Sequence, residues 1–327
     1  MKRVRGLTLV ELLLSIALAV FLVAAMLQVY RVGKSVLRWQ VEAARLEENG
    51  RHALGLLVRE LRMAGFFGRE ALAALPSPLP GAPDCGDAPG WVLDPSAPLE
   101  LINDFGGGEA RLVSGARLGC LPETRLVQGS DALVIKRSAA LPSHAVGPLP
   151  GLRQRPRSRW YLVSDGSGLA MTLFLDAAGD PSVTVPAAAT WWEWRSQIFY
   201  LRNYSQSPGD GIPVLCNERL GSAMRSVCLV EGVERLQLEF GIDSDGDGVA
   251  DSRMRSPSRA DLANAITARV YLLTRSIREL HRRPQSQAFR LGATEVNLPP
   301  DRYLRRVFSA TVPLHNIRAQ AGVHDAA

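Results

Sequence analysis

No CxxC pair occurs among the four cysteines of this chain, and none of its five histidines (His52, His144, His281, His315, His324) stands at metal-ligand spacing. Zinc and thioredoxin-type redox chemistry are therefore poor readings. No G-x-S-x-G elbow, P-loop or dinucleotide fingerprint appears, so no catalytic constellation is legible and the reading is non-enzymatic. A basic stripe with interleaved aromatics is also missing. The net charge is +6, but three of the positives lie in the first six residues, which leaves 35 Lys+Arg against 32 Asp+Glu, or +3, for the rest. That balance is too mild to imply nucleic acid. Two further absences are more telling: charge is missing from Leu12 to Leu27, and proline is missing from Arg31 to Ala64.

What remains is a chain of 327 residues, 46% hydrophobic and 21% charged, long enough for a real core and too apolar for disorder. Lys2, Arg3 and Arg5 precede an apolar stretch from Leu7 to Tyr30 whose one charged side chain is Glu11. A helix of ~24 residues at ~1.5 Å each spans ~36 Å, enough for one membrane crossing with the basic end retained in the cytoplasm. A lone carboxylate there costs roughly 2.5–3.5 kcal/mol at mid-bilayer, which makes Glu11 a functional candidate. A cleaved secretory signal ending at Ala17-Leu18-Ala19 is the competing reading. Against it stand the early glutamate and the lack of any break after the apolar run.

The segment Gly6-Leu7-Thr8-Leu9-Val10-Glu11 resembles the processing motif of the type IV pilin and pseudopilin class. The resemblance implies cleavage after Gly6 by a prepilin peptidase, N-methylation of the new Leu7 amine, and Glu11 at the fifth mature position. Leu7 departs from the phenylalanine usual there. A buried glutamate that is costly alone can pair with the cationic amine of a neighbouring subunit and so set assembly register.

Beyond the membrane length, Leu46, Gly50, Ala53, Leu54, Leu57, Leu61 and Ala64 fall on one stripe at steps of three and four. This predicts one continuous helix of up to ~58 residues, weakest at Gly33, Gly50 and Gly55, and closed by Gly65 and Gly68. The run Glu48-Asn49-Gly50-Arg51-His52-Ala53-Leu54, followed by Arg59-Glu60-Leu61-Arg62-Met63-Ala64-Gly65-Phe66, is similar to a signature of the PilW family of minor pilins. Similar family-like runs are Val230–Ile242, Tyr271–Ser276 and Arg305–Val312.

The expected organisation is a leader (1–6), a transmembrane and assembly helix (7–30), an amphipathic continuation (31–66) and a periplasmic β-rich head (67–327). The fold class is α+β, type IV pilin-like, with the long N-terminal helix packed on a large antiparallel β-rich head. Strands are predicted at Ala132–Lys136, Trp160–Val163, Met171–Leu175, Gln197–Leu201, Leu236–Phe240, Val270–Thr274 and Val307–Val312. Ala71–Gly90 and Asn103–Gly108 read as a loop and a turn, Ser138–Arg159 and His281–Pro300 as exposed insertions, and Asp261–Thr267 as a helical turn. Trp191-Trp192-x-Trp194 reads as core and rim packing, with a ligand surface as the lesser alternative.

Asp243-Ser244-Asp245-Gly246-Asp247-Gly248-Val249-Ala250-Asp251 places carboxylates at loop positions 1, 3, 5 and 9 and a backbone carbonyl, that of Val249, at position 7. These are the first three quarters of an EF-hand-type calcium loop, with Met254 where the closing glutamate belongs. The expectation is a calcium-binding turn between strands, with Glu239 or Asp261 as the candidate for a missing ligand. A metal-free Asp/Gly turn suits the same residues. An even cysteine count beyond a membrane helix implies two disulfides. Of three connectivities, Cys85 with Cys120 and Cys216 with Cys228 is favoured over unpaired buried thiols.

The resemblance implies a minor pilin that primes a type IV pilus or joins its tip complex. Its partners would be the prepilin peptidase, other minor pilins, the major pilin, a PilY-type tip adhesin and the inner membrane, with no nucleic acid. The single-pass subunit would carry its head in the periplasm and later reach the pilus tip at the cell surface. A J-like pseudopilin of a type II secretion system is the alternative, and a secreted or anchored calcium-binding protein is the alternative from another class.

Overall fold

The computed structural model describes residues 8–68, 85–87, 89–143, 159–164, 172–175, 190–221, 223–281 and 283–317. Its first element is one α-helix, α1, from Leu9 to Met63. By contact clustering the chain forms two units, Met1–Arg45 and Leu46–Ala327. In the first unit the apolar side chains from Leu9 to Val41 are exposed, and this helix is the one element among the described residues long and apolar enough to cross a membrane.

The second unit holds the rest of α1 and the sheets. The strands are β1 (Leu99–Ile102), β2 (Ala132–Ser138), β3 (Trp160–Ser164), β4 (Thr172–Leu175), β5 (Thr190–Arg202), β6 (Val214–Leu220) and β7 (Met224–Glu231). They make one antiparallel sheet in the order β1-β2-β5-β3-β4, with β6 joined to β5 and β7 joined to β6. Next come β8 (Val233–Ile242), β9 (Ser252–Met254), the short helix α2 (Arg259–Ala263), β10 (Ala265–Arg275), β11 (Gln285–Leu291), β12 (Thr294–Asp301) and β13 (Arg305–Pro313). A second sheet runs β13-β10-β8-β9, and β11 with β12 forms a separate ribbon. Every strand pairing among the described residues is antiparallel, so the α+β organisation with an antiparallel head holds.

The helical stripe does what its spacing predicts. Leu46, Ala53, Leu57, Leu61 and Ala64 are buried, and the last four belong to one core with Leu133, Phe199, Leu236 and Leu272. Burying each leucine is worth roughly 1.5–3 kcal/mol. Gly65 ends α1 in the left-handed region at φ 76°, which costs glycine no steric clash. Its N–H then donates to Lys136 O at 3.1 Å, and Ser138 N–H donates to Phe66 O at 2.7 Å, which lays the chain onto β2.

Several expectations are corrected. The exposed insertion expected at 281–300 is mostly the β11–β12 hairpin, a ribbon largely exposed apart from Leu291, Val296 and Leu298. Pro299 and Pro300 lie in β12, where a two-stranded ribbon leaves one N–H row unpaired and so tolerates proline. Ser138 closes β2, and Ala139 N–H and Ser143 N–H donate to Glu193 O and Trp191 O, so the expected insertion begins later than Ser138. Residues 144–158 lie outside the described residues. The helical turn is Arg259–Ala263, capped by Ser258 and Asp261, and Ala265–Thr267 already belong to β10. Strands β1, β6, β7 and β9 were not expected.

Candidate functional site

Gly6 and Leu7 lie outside the described residues. Glu11 opens α1 together with Thr8. Thr8 N–H and Thr8 Oγ1 donate to Glu11 Oε2 at 3.0 and 2.9 Å, and Glu11 N–H donates to Thr8 Oγ1 at 3.3 Å. This is a reciprocal capping box, which satisfies two of the amides that a helix start leaves orphaned. The T-x-x-E spacing was present in the sequence and went unused. In the isolated chain the carboxylate therefore has an internal partner, and Glu11 can leave it only by giving up those bonds.

The second group of signature residues lies on the head half of α1. Glu60 is buried, and Arg137 of β2 grips it through two guanidinium nitrogens, Nε to Oε2 at 2.8 Å and Nη2 to Oε1 at 3.0 Å. Gln197 Nε2 of β5 donates to the same carboxylate at 3.0 Å, and Asn217 Nδ2 of β6 donates to Gln197 Oε1 at 2.6 Å. One helical carboxylate is thus tied to three strands. Burial lowers the Arg137 pKa from the usual guanidinium range, and the facing Glu60 charge opposes that shift.

Gly50 is set by a close approach. A Cβ there would sit 2.1 Å from the ring of Phe308 in β13, so the glycine expected as a weak point is a packing requirement. Gly33 and Gly55 have open space where a Cβ would be. Asn49 Nδ2 donates to Glu231 O at 3.1 Å, and Glu47 bridges Arg51 and Arg306.

A further buried acid sits where the two sheets meet. Asp131 accepts Asp104 N–H at 2.9 Å and Leu238 N–H at 2.7 Å. Burial pushes its pKa up to about 7, outweighing the two amides that favour the charged form.

The Asp-rich loop joins β8 to β9. Asp243 is buried and accepts Gly246 N–H at 2.8 Å and Gly248 N–H at 2.9 Å, while Asp245 and Asp247 accept the amides two residues onward. Ligand oxygens of Asp243, Asp245 and Asp247 lie within 4.8 Å of one another. Asp251 accepts Ser244 N–H at 2.7 Å and closes the loop. Val249 is exposed. Neither candidate extra ligand belongs to this group. Glu239 accepts Tyr271 OH at 3.0 Å and Ala293 N–H at 2.7 Å, and Asp261 caps α2.

The tryptophans pack inside the head. Trp191, Trp192 and Trp194 are buried in β5, Phe67 stacks on Trp194 at 5.2 Å, and Trp194 Nε1 donates to Val92 O at 3.1 Å. No ligand-facing aromatic platform is formed by them. The disulfides join Cys85 to Cys120 and Cys216 to Cys228.

An N-terminal helix long and apolar enough to cross a membrane, followed by an antiparallel β-sheet head, defines an α+β protein with a candidate membrane anchor. The model of the PilW family, described as Type IV Pilus-assembly protein W, matches residues 198–316, so this part of the head is similar to that family. The match runs from the second half of β5 to the residues just past β13, so it takes in β6 and β7, earlier than the sequence resemblance reached. No curated protein and no solved structure is found to match the chain. The PilW match supports a role in type IV pilus assembly.

Proposed function

We propose that the chain is a minor pilin, made as a prepilin, cut after Gly6 and N-methylated at Leu7, which primes pilus assembly or sits in the tip complex. The observation that carries this reading is the covalent union of an exposed apolar helix with a head matched by the PilW family. An apolar helix with no internal cover is stable in lipid and then in a bundle of like helices, as a subunit passing from inner membrane to filament requires. On this reading Glu11 exchanges its Thr8 bonds for the Leu7 amine of a neighbour. The minor pilins, the major pilin and a PilY-type adhesin are the proposed partners.

The test is mass spectrometry of the N-terminus together with quantitation in sheared pili. A methylated Leu7 and tip-level abundance that is lost in Glu11→Ala support the proposal. Cleavage after Ala19, or abundance equal to the main subunit, overturns it. A deletion that abolishes protein secretion and leaves pili intact reassigns the chain to a type II secretion system.

The same reading includes calcium in the head, held by Asp243, Asp245 and Asp247. Three carboxylates drawn this close repel, by about 1 kcal/mol per pair at 4 Å in water, and a divalent cation would supply the neutralising charge. Calorimetry on the full chain in detergent should detect binding at millimolar affinity or better, weakened at least tenfold by Asp245→Asn with Asp247→Asn. No heat of binding at millimolar calcium removes the metal from the proposal.

A further inference from the structure

A cleft of about 410 Å³ opens on the large sheet, across β5, β6 and β7, and its charged lining is Arg159, Glu193, Arg195, Arg219 and Arg225. Four guanidiniums against one carboxylate leave it at +3. The two halves differ. Glu193 bridges Arg159 and Arg195, bonding Arg195 Nη2 at 3.1 Å, so that half is internally neutralised to +1. Arg219 and Arg225 are exposed, and no carboxylate among the described residues pairs with them.

That second half is built against its own electrostatics. Arg219 and Arg225 are directly opposite each other across the β6–β7 pairing, which puts both side chains on one face at a separation where like charges are destabilising. The hairpin cannot relieve this by slipping register, because the Cys216–Cys228 bond crosses the same two strands three pairs away. Gln197, the register partner of Arg219 on β5, is neutral, and its amide is already engaged by Glu60 and Asn217. The lining presents no exposed aromatic ring, since Trp194 is buried, and stacking of a neutral sugar has no platform.

We propose that this cleft docks an acidic segment of a partner protein, with one of its carboxylates seated between Arg219 and Arg225. Such a carboxylate does for that pair what Glu193 does for Arg159 and Arg195. The guanidinium fork matches it in bidentate geometry, and the net +3 steers an acidic chain toward the cleft. The inference does not depend on the pilin reading, because it rests on the head alone.

The experiment uses the full chain in neutral detergent and a fluorescein-labelled hexaglutamate peptide, read by anisotropy, with hexaglutamine as the uncharged control. Binding is expected for hexaglutamate and not for hexaglutamine, and it weakens steeply as salt rises from about 50 to about 300 mM. Arg219→Glu with Arg225→Glu should weaken binding at least tenfold. Arg253→Glu with Arg290→Glu, on β9 and β11, changes total charge equally and should leave affinity within twofold. Arg219→Gln with Arg225→Gln serves if the reversal fails to fold, and should weaken binding at least fivefold. Three results overturn the proposal: no hexaglutamate binding at millimolar peptide, equal loss in both charge-reversed pairs, or displacement by inorganic tripolyphosphate at lower concentration than by unlabelled hexaglutamate. The last would assign the cleft to phosphate-type anions.

Discussion

Replacing Glu60 by leucine removes the carboxylate that joins α1 to β2, β5 and β6 and leaves Arg137 charged in a buried place. In the native head that guanidinium has two bonds to Glu60 and one to Ser138 O, at 2.9 Å. After the change only the carbonyl remains, and Gln197 Nε2 loses its acceptor as well. Breaking a buried pair from one side costs about 3–5 kcal/mol, because the surviving charge is not resolvated. For a domain of this size that corresponds to a fall in Tm on the order of 6–12 °C. Glu60→Gln keeps acceptor capacity and should lose roughly half as much. Glu60→Leu with Arg137→Met exchanges the pair for apolar groups and should recover to within about 1 kcal/mol of the parent. The assay is guanidinium unfolding of the full chain in detergent, followed by fluorescence of the buried Trp191, Trp192 and Trp194. A loss under about 1 kcal/mol in Glu60→Leu, or a double variant no more stable than the single, would refute the argument that this pair locks helix to sheet.

Three further outcomes are expected. Asp131, with its pKa raised from 3.8 to about 7 in the fold, binds its proton more tightly when folded, so its contribution is fully present below about pH 4 and is lost as pH rises through 7. Unfolding at pH 5 and pH 8 should show a difference that shrinks in Asp131→Asn, and an unchanged pH slope in that variant contradicts the assignment. Gly50→Val drives a side chain into Phe308 and should cost about 1–3 kcal/mol, partly restored by Phe308→Ala; equal stability with and without Phe308 would show that the contact is not what fixes the glycine. Opening the Cys85–Cys120 bond, which closes 35 residues, should cost about 4 kcal/mol by loop entropy, against about 3 for Cys216–Cys228, which closes 12. Serine pairs at each site, compared by chemical unfolding, test the order.

The strands that escaped sequence reasoning share a cause. In β6 the polar Asn217 and Glu218 are both buried, so the strand shows no alternation of apolar and polar residues. In β7 the apolar run Val227–Val230 shows no alternation with polar residues, and of the strand only Val230 is buried. β11 and β12 form a ribbon with little buried surface, and two prolines mask the second strand. Such strands exist because of their partners, and pairing partners are set by the tertiary fold. The run Trp191–Trp194 was expected to be packing residues ahead of a strand starting at Gln197; it is buried, but it lies inside β5, which already begins at Thr190.

At the candidate site the division follows range along the chain. The sequence by itself determined the apolar helix, its buried stripe from Leu46 to Ala64, and the convergence of Asp243, Asp245 and Asp247. Each of these depends on spacings of two to four residues within one segment, which the backbone geometry of a helix or a tight turn converts directly into a shared face or a shared centre. Only the tertiary structure decided that Glu60 faces Arg137 across 77 residues of chain, that Gly50 must be bare to admit Phe308, and that Arg219 and Arg225 are held side by side opposite Glu193's neutralised pair. The first two contacts join residues far apart in sequence and draw their energies from burial and from charge placed in low dielectric, while the exposed Arg219 and Arg225 are set opposite each other by the register of one hairpin.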